Sequence, residues 1–217
     1  MHQSAVREID YDNPPFPLTA IDREILATKD EDYHRVTWDE LRQITANNTL
    51  EQLKRLPSDL RRYLAWCYDI KNRYGSITTF VIQERLHWTP EPAPAGSGPV
   101  FAHHSDVPFA DRRDYAVLPN DWPYGFEPGI KHLLVWSKTP IAVDDQLGDV
   151  TPESRRLIEE FVERHFIRAL GEGGRDRVLW FKNWVKLQSV RGVDHVHVLV
   201  RYPPDDLLKE WTERDDI

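Results

Sequence analysis

The segment that most constrains the fold lies near the C-terminus. Polar and apolar side chains alternate along residues 194–201, Asp-His-Val-His-Val-Leu-Val-Arg. Successive side chains of a β-strand point to opposite faces of its sheet, so this alternation predicts a half-buried strand. Its valines would face a core, while His195, His197 and Leu199 would share the other face. Two neighbouring imidazoles indicate a candidate chemical site, because imidazole titrates near neutral pH and serves as base, nucleophile or metal ligand.

The 217 residues are predicted to form a single domain with three parts. Residues 1–88 form a helical N-terminal part, and residues 89–99 form a surface loop rich in Pro and Gly. Residues 100–217 combine strand patterns with one long amphipathic helix that follows Thr151-Pro152. Because the connections between the strands are short, we predict an antiparallel sheet and the α+β fold class.

Several boundaries are predicted from local signals. Residues 1–22 are polar and rich in Pro, which favours an extended arm over the surface. Ser58 is predicted to cap the strongest N-terminal helix, which would end near Tyr74. The β-branched run within residues 76–88 allows a strand, but we favour a helix there. A strand over residues 178–185 would place Asn183 on one face with apolar neighbours.

Composition limits the cellular compartment and the binding partners that we predict for this protein. The single Cys67 leaves no internal disulfide partner, which favours a reducing compartment, and we predict a cytoplasmic protein. The N-terminus is too polar for a signal peptide, and no apolar run is long enough for a membrane span. With a formal net charge of −8, a nucleic-acid partner would need a local basic patch. The candidates for that patch are Lys54-Arg55, Arg61-Arg62, Lys71 and Arg73.

A metal site is not predicted. His103-His104 and Asp106 form a pattern that can bind metal, but no third set of spaced ligands accompanies them. We therefore expect a solvated loop at these residues, and neither a metal ion nor a cofactor in the protein.

Several motifs of the second half resemble the histidine-triad (HIT) family. They are Gly129-Ile-Lys-His-Leu-Leu-Val-Trp-Ser-Lys138, Thr151-Pro-Glu153, Asn183, Gln188-Ser-Val190 and His195-Val-His197-Val-Leu-Val-Arg201. The resemblance implies a HIT-like antiparallel sheet and a central histidine that attacks a phosphorus atom of a bound nucleotide. Aligned backwards from Arg201, His195 takes this central place and Val193 stands where the first histidine belongs. In the alternative register, His195 is the first histidine and Leu199 replaces the third.

A second set of motifs, spread over nearly the whole chain, resembles the fungal N-acetylglucosamine-induced protein family. The set comprises Pro57-Ser-Asp-Leu-Arg-Arg-Tyr63, Tyr74-Gly-Ser-Ile77, Asn120-Asp-Trp-Pro-Tyr-Gly125, Val135-Trp-Ser-Lys-Thr-Pro-Ile141, Trp180-Phe-Lys-Asn-Trp184, Gln188-Ser-Val190 and Asp194-His-Val-His-Val198. These strings are long and contain many rare residues, which makes them specific.

That family is similar to the arginine-containing cyclodipeptide synthases of fungi. Those enzymes join two aminoacyl groups delivered by tRNA into a cyclic dipeptide, one of them arginyl. The resemblance implies arginyl-tRNA and a second aminoacyl-tRNA as partners. It also implies an Asp-Asp-x-x-Glu motif, from which this chain departs. Asp205-Asp206-Leu-Leu-Lys-Glu210 has one residue too many, and Asp144-Asp145 has no Glu at the required distance.

The residues offer groups for this chemistry. Forming an amide from an ester needs a base for the attacking amine, and His195 or His197 is suited to neutral pH. Asn183 and Gln188 are neutral donors for a developing oxyanion. The carboxylates that would pair with a substrate guanidinium are Asp121, Asp144, Asp145 and Asp194. The aromatic side chains that would line a pocket are Trp122, Tyr124, Trp136, Trp180 and Trp184.

Three function classes remain open, in this order. The first is cyclodipeptide synthesis from aminoacyl-tRNAs. The second is a nucleotide hydrolase or transferase with His195 as nucleophile, in which Lys138, Asn183, Gln188 and Ser189 would touch phosphate or ribose. The third is a non-catalytic protein that binds a metabolite of the N-acetylglucosamine response on the same face.

Overall fold

The computed structural model describes residues 9–94, 96–144, 146–184 and 187–213. Its centre is an antiparallel sheet with the strand order β1-β2-β4-β3. The strands are β1 (Tyr115–Pro119), β2 (Ile130–Ser137), β3 (Val178–Phe181) and β4 (Asp194–Arg201). Helices accompany this four-stranded sheet, so the predicted α+β class is confirmed.

Helices precede and follow the strands. They are α1 (Ala20–Leu26), α2 (Trp38–Ala46), α3 (Pro57–Tyr74), α4 (Ile77–Phe80), α5 (Pro152–Val162) and α6 (Asp205–Thr212). Two of them continue as π-helical turns, α4 through Val81–Leu86 and α5 through Glu163–Ile167. In the described parts of the chain, no helix is long and apolar enough to cross a membrane.

One face of the sheet is formed mainly by valines and is called the valine face. Its residues are Val117, Leu133, Val135, Val178, Val196, Val198 and Val200. They form one core with α5 and α6, which contribute Ile158, Phe161 and Trp211. Removing such side chains from water is the main stabilising contribution to this half of the molecule.

The opposite face carries the histidines and is called the histidine face. Its residues are Ala116, Leu118, His132, Leu134, Trp136, Leu179, Phe181, His195, His197 and Leu199. The N-terminal helices pack against it: the end of α3 and α4 cover the side of Trp136, and α2 covers the side of Leu199. The histidines therefore lie between two layers of structure and not at the surface.

Four predicted boundaries need correction. The strand predicted over residues 178–185 ends at Phe181, because the Asn183 carbonyl accepts a hydrogen bond from the Gln188 side chain and not from a neighbouring strand. Residues 20–26 form α1, which a reciprocal cap between Thr19 and Asp22 begins. Ser58 lies inside α3, which begins at Pro57 since proline suits the first helical position.

The fourth correction concerns the length of the helix that follows Thr151. α5 has 11 residues before the π-helical turn at Glu163, so it is shorter than the predicted long helix. Its apolar side still packs on the valine face, through Ile158 and Phe161. Residues 77–86 are helical, as we favoured over a strand.

The start of α5 provides a stability prediction. The Thr151 hydroxyl accepts a hydrogen bond from the Ser154 backbone N–H at 3.1 Å. We expect Thr151→Ala to lower the free energy of unfolding by about 1 kcal/mol, because the first turn loses its cap. Urea denaturation followed by tryptophan fluorescence measures the change. Thr89→Ala, at an exposed threonine in a loop, is the control, and an equal loss in both variants would contradict the capping role.

Candidate functional site

A pocket opens between the histidine face and the N-terminal helices. Its cavity volume is about 80 Å³, and the cleft around this cavity is continuous with solvent. His195, His197 and Trp136 form its floor, and α3 contributes Tyr63 and Trp66 to a wall. Further lining residues come from the segment before α3, from α4 and its π-helical turn, and from the loops after β1 and β3: Arg55, Arg85, Asp121, Trp122, Asn183 and Ser189.

A third histidine, which the alternation of β4 does not predict, lies next to the floor against His197. His132 of β2 pairs with Leu199 of β4, so it lies on the histidine face. Its Nε2 is 2.8 Å from Nδ1 of His197. The alignment with the HIT family places the first histidine of the triad at position 193. This chain has the buried hydrophobic residue Val193 at that position. The polar residues Lys131 and His132 within β2 could have indicated a site. Only the register of β2 against β4 shows that His132 lies on the histidine face.

The tautomer of His195 follows from one hydrogen bond. Its Nδ1 is 2.9 Å from the Val193 carbonyl oxygen, which can only accept, so Nδ1 carries the proton. The other ring nitrogen, Nε2, therefore has a free lone pair. The ring also packs against Trp136, with centroids 4.4 Å apart, so its orientation is held from a second side. His195 thus presents a base or a nucleophile to the pocket it lines.

His197 belongs to a chain of polar groups. The Asn183 amide lies 3.2 Å from its Nε2 and also 3.2 Å from the Tyr124 hydroxyl. The His197 ring stacks on Phe181, with centroids 4.6 Å apart and planes 8° apart. The carbonyl oxygen Oδ1 of the Asn183 side chain is buried and has no hydrogen-bond partner in the described part of the protein. An unpaired buried polar atom is costly, and a bound ligand would relieve that cost.

Burial keeps all three imidazoles neutral. It lowers the pKa of His132 to about 3, and the positive charge of Arg55 acts in the same direction. Burial lowers the pKa of His195 to about 4, although the Val193 carbonyl opposes this shift. Burial, followed by the neighbouring His132, lowers the pKa of His197 well below its ordinary value. At neutral pH the cluster therefore contributes hydrogen-bonding groups and a base without positive charge.

The charges around the pocket come from three side chains. Arg85 and Asp121 form an ion pair of 3.0 Å. Burial raises the pKa of Asp121, and Arg85 opposes this effect. The Arg55 guanidinium lies 3.8 Å above the centre of the Tyr63 ring and donates to the Trp122 carbonyl. Among the lining residues that the structure describes, Asp121 carries the single carboxylate.

Aromatic rings make up much of the wall. Trp66 and Trp122 lie 5.4 Å apart, and Tyr63 is 5.7 Å from Trp122. The Tyr63 hydroxyl donates to Ser189, and burial raises the pKa of this tyrosine to about 12. The indole N–H groups of Trp122 and Trp136 are buried and have no acceptor among the residues that the structure describes. The wall therefore combines apolar surface with donors that a ligand can use.

The structure brings together only part of the predicted site. His195, His197, Asn183, Asp121, Trp122, Trp136 and Ser189 line the pocket. Lys138, Gln188, Asp194 and Trp184 are not among its described lining residues. The Lys138 ammonium lies over the Trp88 ring, Gln188 binds the Asn183 carbonyl, and the Trp184 indole donates to Asn48. Asp194 forms a buried ion pair with Lys182 at 3.0 Å. Arg55, which sequence analysis considered only for a surface patch, is in the pocket.

The acidic motifs lie elsewhere. Asp205 and Asp206 are exposed in the first turn of α6, which packs against the valine face and so lies across the sheet from the pocket. Asp144 accepts backbone hydrogen bonds from its own loop, and Asp145 lies outside the described residues.

In the loop that contains His103 and His104, the residues that come close together are not the set His103, His104 and Asp106 that the sequence suggested. In the described chain, His104, Asp111 and Asp114 have ligand atoms within 4.8 Å of one another. The Asp114 carboxylate, however, accepts two backbone N–H groups and the His104 ring. Asp111 is paired with Arg113. Hydrogen bonds within the loop therefore account for these carboxylates.

Comparisons with known proteins agree on the family. Residues 37–201 match the family described as "Protein of unknown function (DUF3605)". N-acetylglucosamine-induced protein 1 of Candida albicans is 31% identical over 183 residues, which cover 80% of this chain and 71% of that protein. An uncharacterized protein of Saccharomyces cerevisiae is 29% identical over 200 residues, which cover 90% of this chain and 94% of that protein.

A solved structure supports the same relationship. The crystal structure of HTC1 is similar with a TM-score of 0.57 and 29% sequence identity, over 81% of this chain and 90% of that one. The matched region of the family extends from the residue before α2 to the last residue of β4, and so includes the whole sheet and pocket. The chain therefore belongs to the DUF3605 family, the fungal N-acetylglucosamine-induced family to which its sequence motifs pointed.

Proposed function

We propose that this protein joins two aminoacyl groups delivered by tRNA into a cyclic dipeptide, with the pocket as the active site and His195 as general base. One observation carries the proposal. His195 is held as a neutral imidazole with its proton on Nδ1, so its Nε2 lone pair is available in the pocket that it lines. At neutral pH this imidazole is unprotonated, so its Nε2 can accept the proton of an attacking amine.

The reaction can be balanced with these groups. His195 Nε2 takes a proton from the amino group of one aminoacyl unit as that nitrogen attacks the ester carbonyl of the other. The ester bond to the tRNA breaks, and the proton passes to the leaving 3′-oxygen. The second amino group then attacks the remaining ester in the same way. In total, two ester bonds break, two amide bonds form and two tRNA hydroxyl groups are released.

The surroundings of His195 suit the charges that develop. The indole N–H groups of Trp122 and Trp136 are buried donors with no acceptor among the described residues, so they can stabilise an oxyanion. The Asn183 amide nitrogen already contacts Tyr124 and His197 and instead holds His197 in place. Asp121 is the carboxylate among the described lining residues, and it would bind the guanidinium of an arginyl unit in exchange for that of Arg85.

The test is expression in a bacterial host with mass spectrometry of the medium. We expect cyclic dipeptides that contain arginine, and a loss of at least about 100-fold in His195→Gln, because general-base catalysis contributes a factor of this size. His34→Gln, at an exposed histidine outside this pocket, is the matched control and should keep full product. Absence of any cyclic dipeptide from the unmodified protein would overturn the proposal, as would full activity of His195→Gln.

The second candidate is a nucleotide hydrolase or transferase on a HIT-like sheet. It is favoured by the position of His195 on the last strand and by its bond to a backbone carbonyl, which leaves Nε2 free as a nucleophile. Purified protein would then turn over adenosine phosphoramidates or dinucleotides, and His195→Gln would not.

If neither activity appears and N-acetylglucosamine raises the melting temperature, metabolite binding becomes the better account.

A further inference from the structure

Arg55 is a cation whose charge is not neutralised by the protein. Its Nε donates to the Trp122 carbonyl at 3.2 Å, and its guanidinium carbon lies 3.8 Å from the Tyr63 ring centre and 5.4 Å from that of Tyr124. Within the described ranges of the chain, no carboxylate is within ion-pair distance of it. The neighbouring rings hold the guanidinium in place, yet its remaining N–H donors are available to an anion.

The charge balance of the pocket points to the same kind of ligand. Arg85 and Asp121 offset each other, and the histidines of the floor are neutral. Arg55 therefore gives the described lining a net positive charge, in a protein whose formal net charge is −8. A local positive pocket in an acidic protein attracts an anion specifically to that place.

The rings next to Arg55 indicate what the anion would be attached to. Tyr63, Trp66 and Trp122 all line the pocket and are only partly buried, with ring centres 5.4–6.2 Å apart. Half-buried aromatic rings that line a pocket beside a positively charged side chain are a combination that binds nucleotides, because the rings can stack on bases and the cation holds phosphate.

We propose that Arg55, with Trp66 and Trp122, forms a subsite for a phosphate ester that carries a nucleobase. This inference rests on the proposed function and deepens it, since the 3′-terminal nucleotide of an aminoacyl-tRNA is such a group. The phosphate binds Arg55 and the base stacks on the indoles. The ester at the other end of the ribose then lies towards His195 and His197, with which Arg55 shares the pocket. A free mononucleotide offers the same chemistry.

Binding is measured on the full-length protein by calorimetry, with adenosine monophosphate and adenosine as probes. We expect the monophosphate to bind at least about tenfold more tightly than adenosine, because only the phosphate engages Arg55. In Arg55→Met this difference should disappear, and Arg55→Lys should restore part of it. The control is Arg62→Met on the solvated side of α3, whose arginine is paired with Asp59. Equal affinity for the two probes, or an unchanged preference in Arg55→Met, overturns the inference.

A trinucleotide with the sequence CCA distinguishes the two sources of the phosphate. Tighter binding of CCA than of adenosine monophosphate assigns the subsite to the tRNA end, and equal binding assigns it to a free nucleotide. The binding assay involves no turnover, so its failure is separate from failure of the proposed function. Binding through Arg55 without any cyclic dipeptide product would refute the reaction alone. Cyclic dipeptides from a protein without phosphate preference would refute the subsite alone.

Discussion

Lowering the pH from 7.5 to 5.0 should cost the protein about 2 kcal/mol of folding stability for each of His132 and His195, and His197 should act in the same direction. In the unfolded chain these histidines have an ordinary pKa near 6.5. In the folded protein, burial lowers the pKa of His132 to about 3 and that of His195 to about 4, and lowers the pKa of His197 as well. Between pH 6.5 and 4 the unfolded chain therefore binds protons that the folded protein does not.

The sign of the effect follows from that difference. Because the folded-state pKa values are depressed, the stabilising contribution is fully present above pH 6.5 and is lost as the pH falls through this window. The pKa of His165, lowered to about 4 by burial, acts in the same direction. The total of about 4 kcal/mol from His132 and His195, to which His197 adds, is a large part of the whole stability of an ordinary domain. We thus expect the protein to be close to unfolding at pH 5.

Urea denaturation at a series of pH values measures the loss, and two variants identify its source. His195→Gln should reduce the loss by about 2 kcal/mol, since one titrating group is removed. His103→Gln should enlarge the loss slightly, because the Phe101 carbonyl and Asp106 raise the pKa of His103, which therefore stabilises the fold at lower pH. A free energy of unfolding that is constant between pH 7.5 and 5.0 would show that the imidazoles are not held neutral.

Lys182→Met is expected to destabilise the protein by about 2–4 kcal/mol. The Lys182 ammonium is 3.0 Å from the Asp194 carboxylate, and the two side chains are 5% and 29% exposed. Removal of the ammonium leaves a mostly buried carboxylate without its counter-charge. We place the cost below that of a fully buried pair, because water can reach part of Asp194. The pair also joins the end of β3 to the start of β4, next to Asn183 and His195.

The same substitution at an exposed ion pair is the control. Lys209 of α6 is 76% exposed and lies 3.1 Å from Glu213, so Lys209→Met should cost less than about 0.5 kcal/mol. Adding Asp194→Asn to Lys182→Met should recover part of the stability, because no unpaired charge then remains while the amide can still accept from the Ile141 N–H. If Lys182→Met and Lys209→Met cost the same, the ion pair does not support the site.

Local patterns predicted much of the fold, because they depend on side-chain geometry that repeats along the chain. Alternation along residues 194–201 predicted β4 and its two faces, and helical spacing predicted α3. Local patterns predicted the ends of elements less well. The strand predicted to reach residue 185 ends at Phe181, and α1 begins inside the segment predicted to be an extended arm. In both places side-chain hydrogen bonds decided where the element ends or begins.

The sequence by itself determined the family, the α+β class and the face that carries His195 and His197. Only the tertiary structure decided that His132 completes the cluster, that Arg55 lies in the pocket, and that Lys138 does not. His132 reaches His197 through the register of β2 against β4, and Arg55 reaches the pocket through packing of the N-terminal helices on the sheet. Register and packing depend on contacts between residues far apart in the chain, and no local periodicity records them.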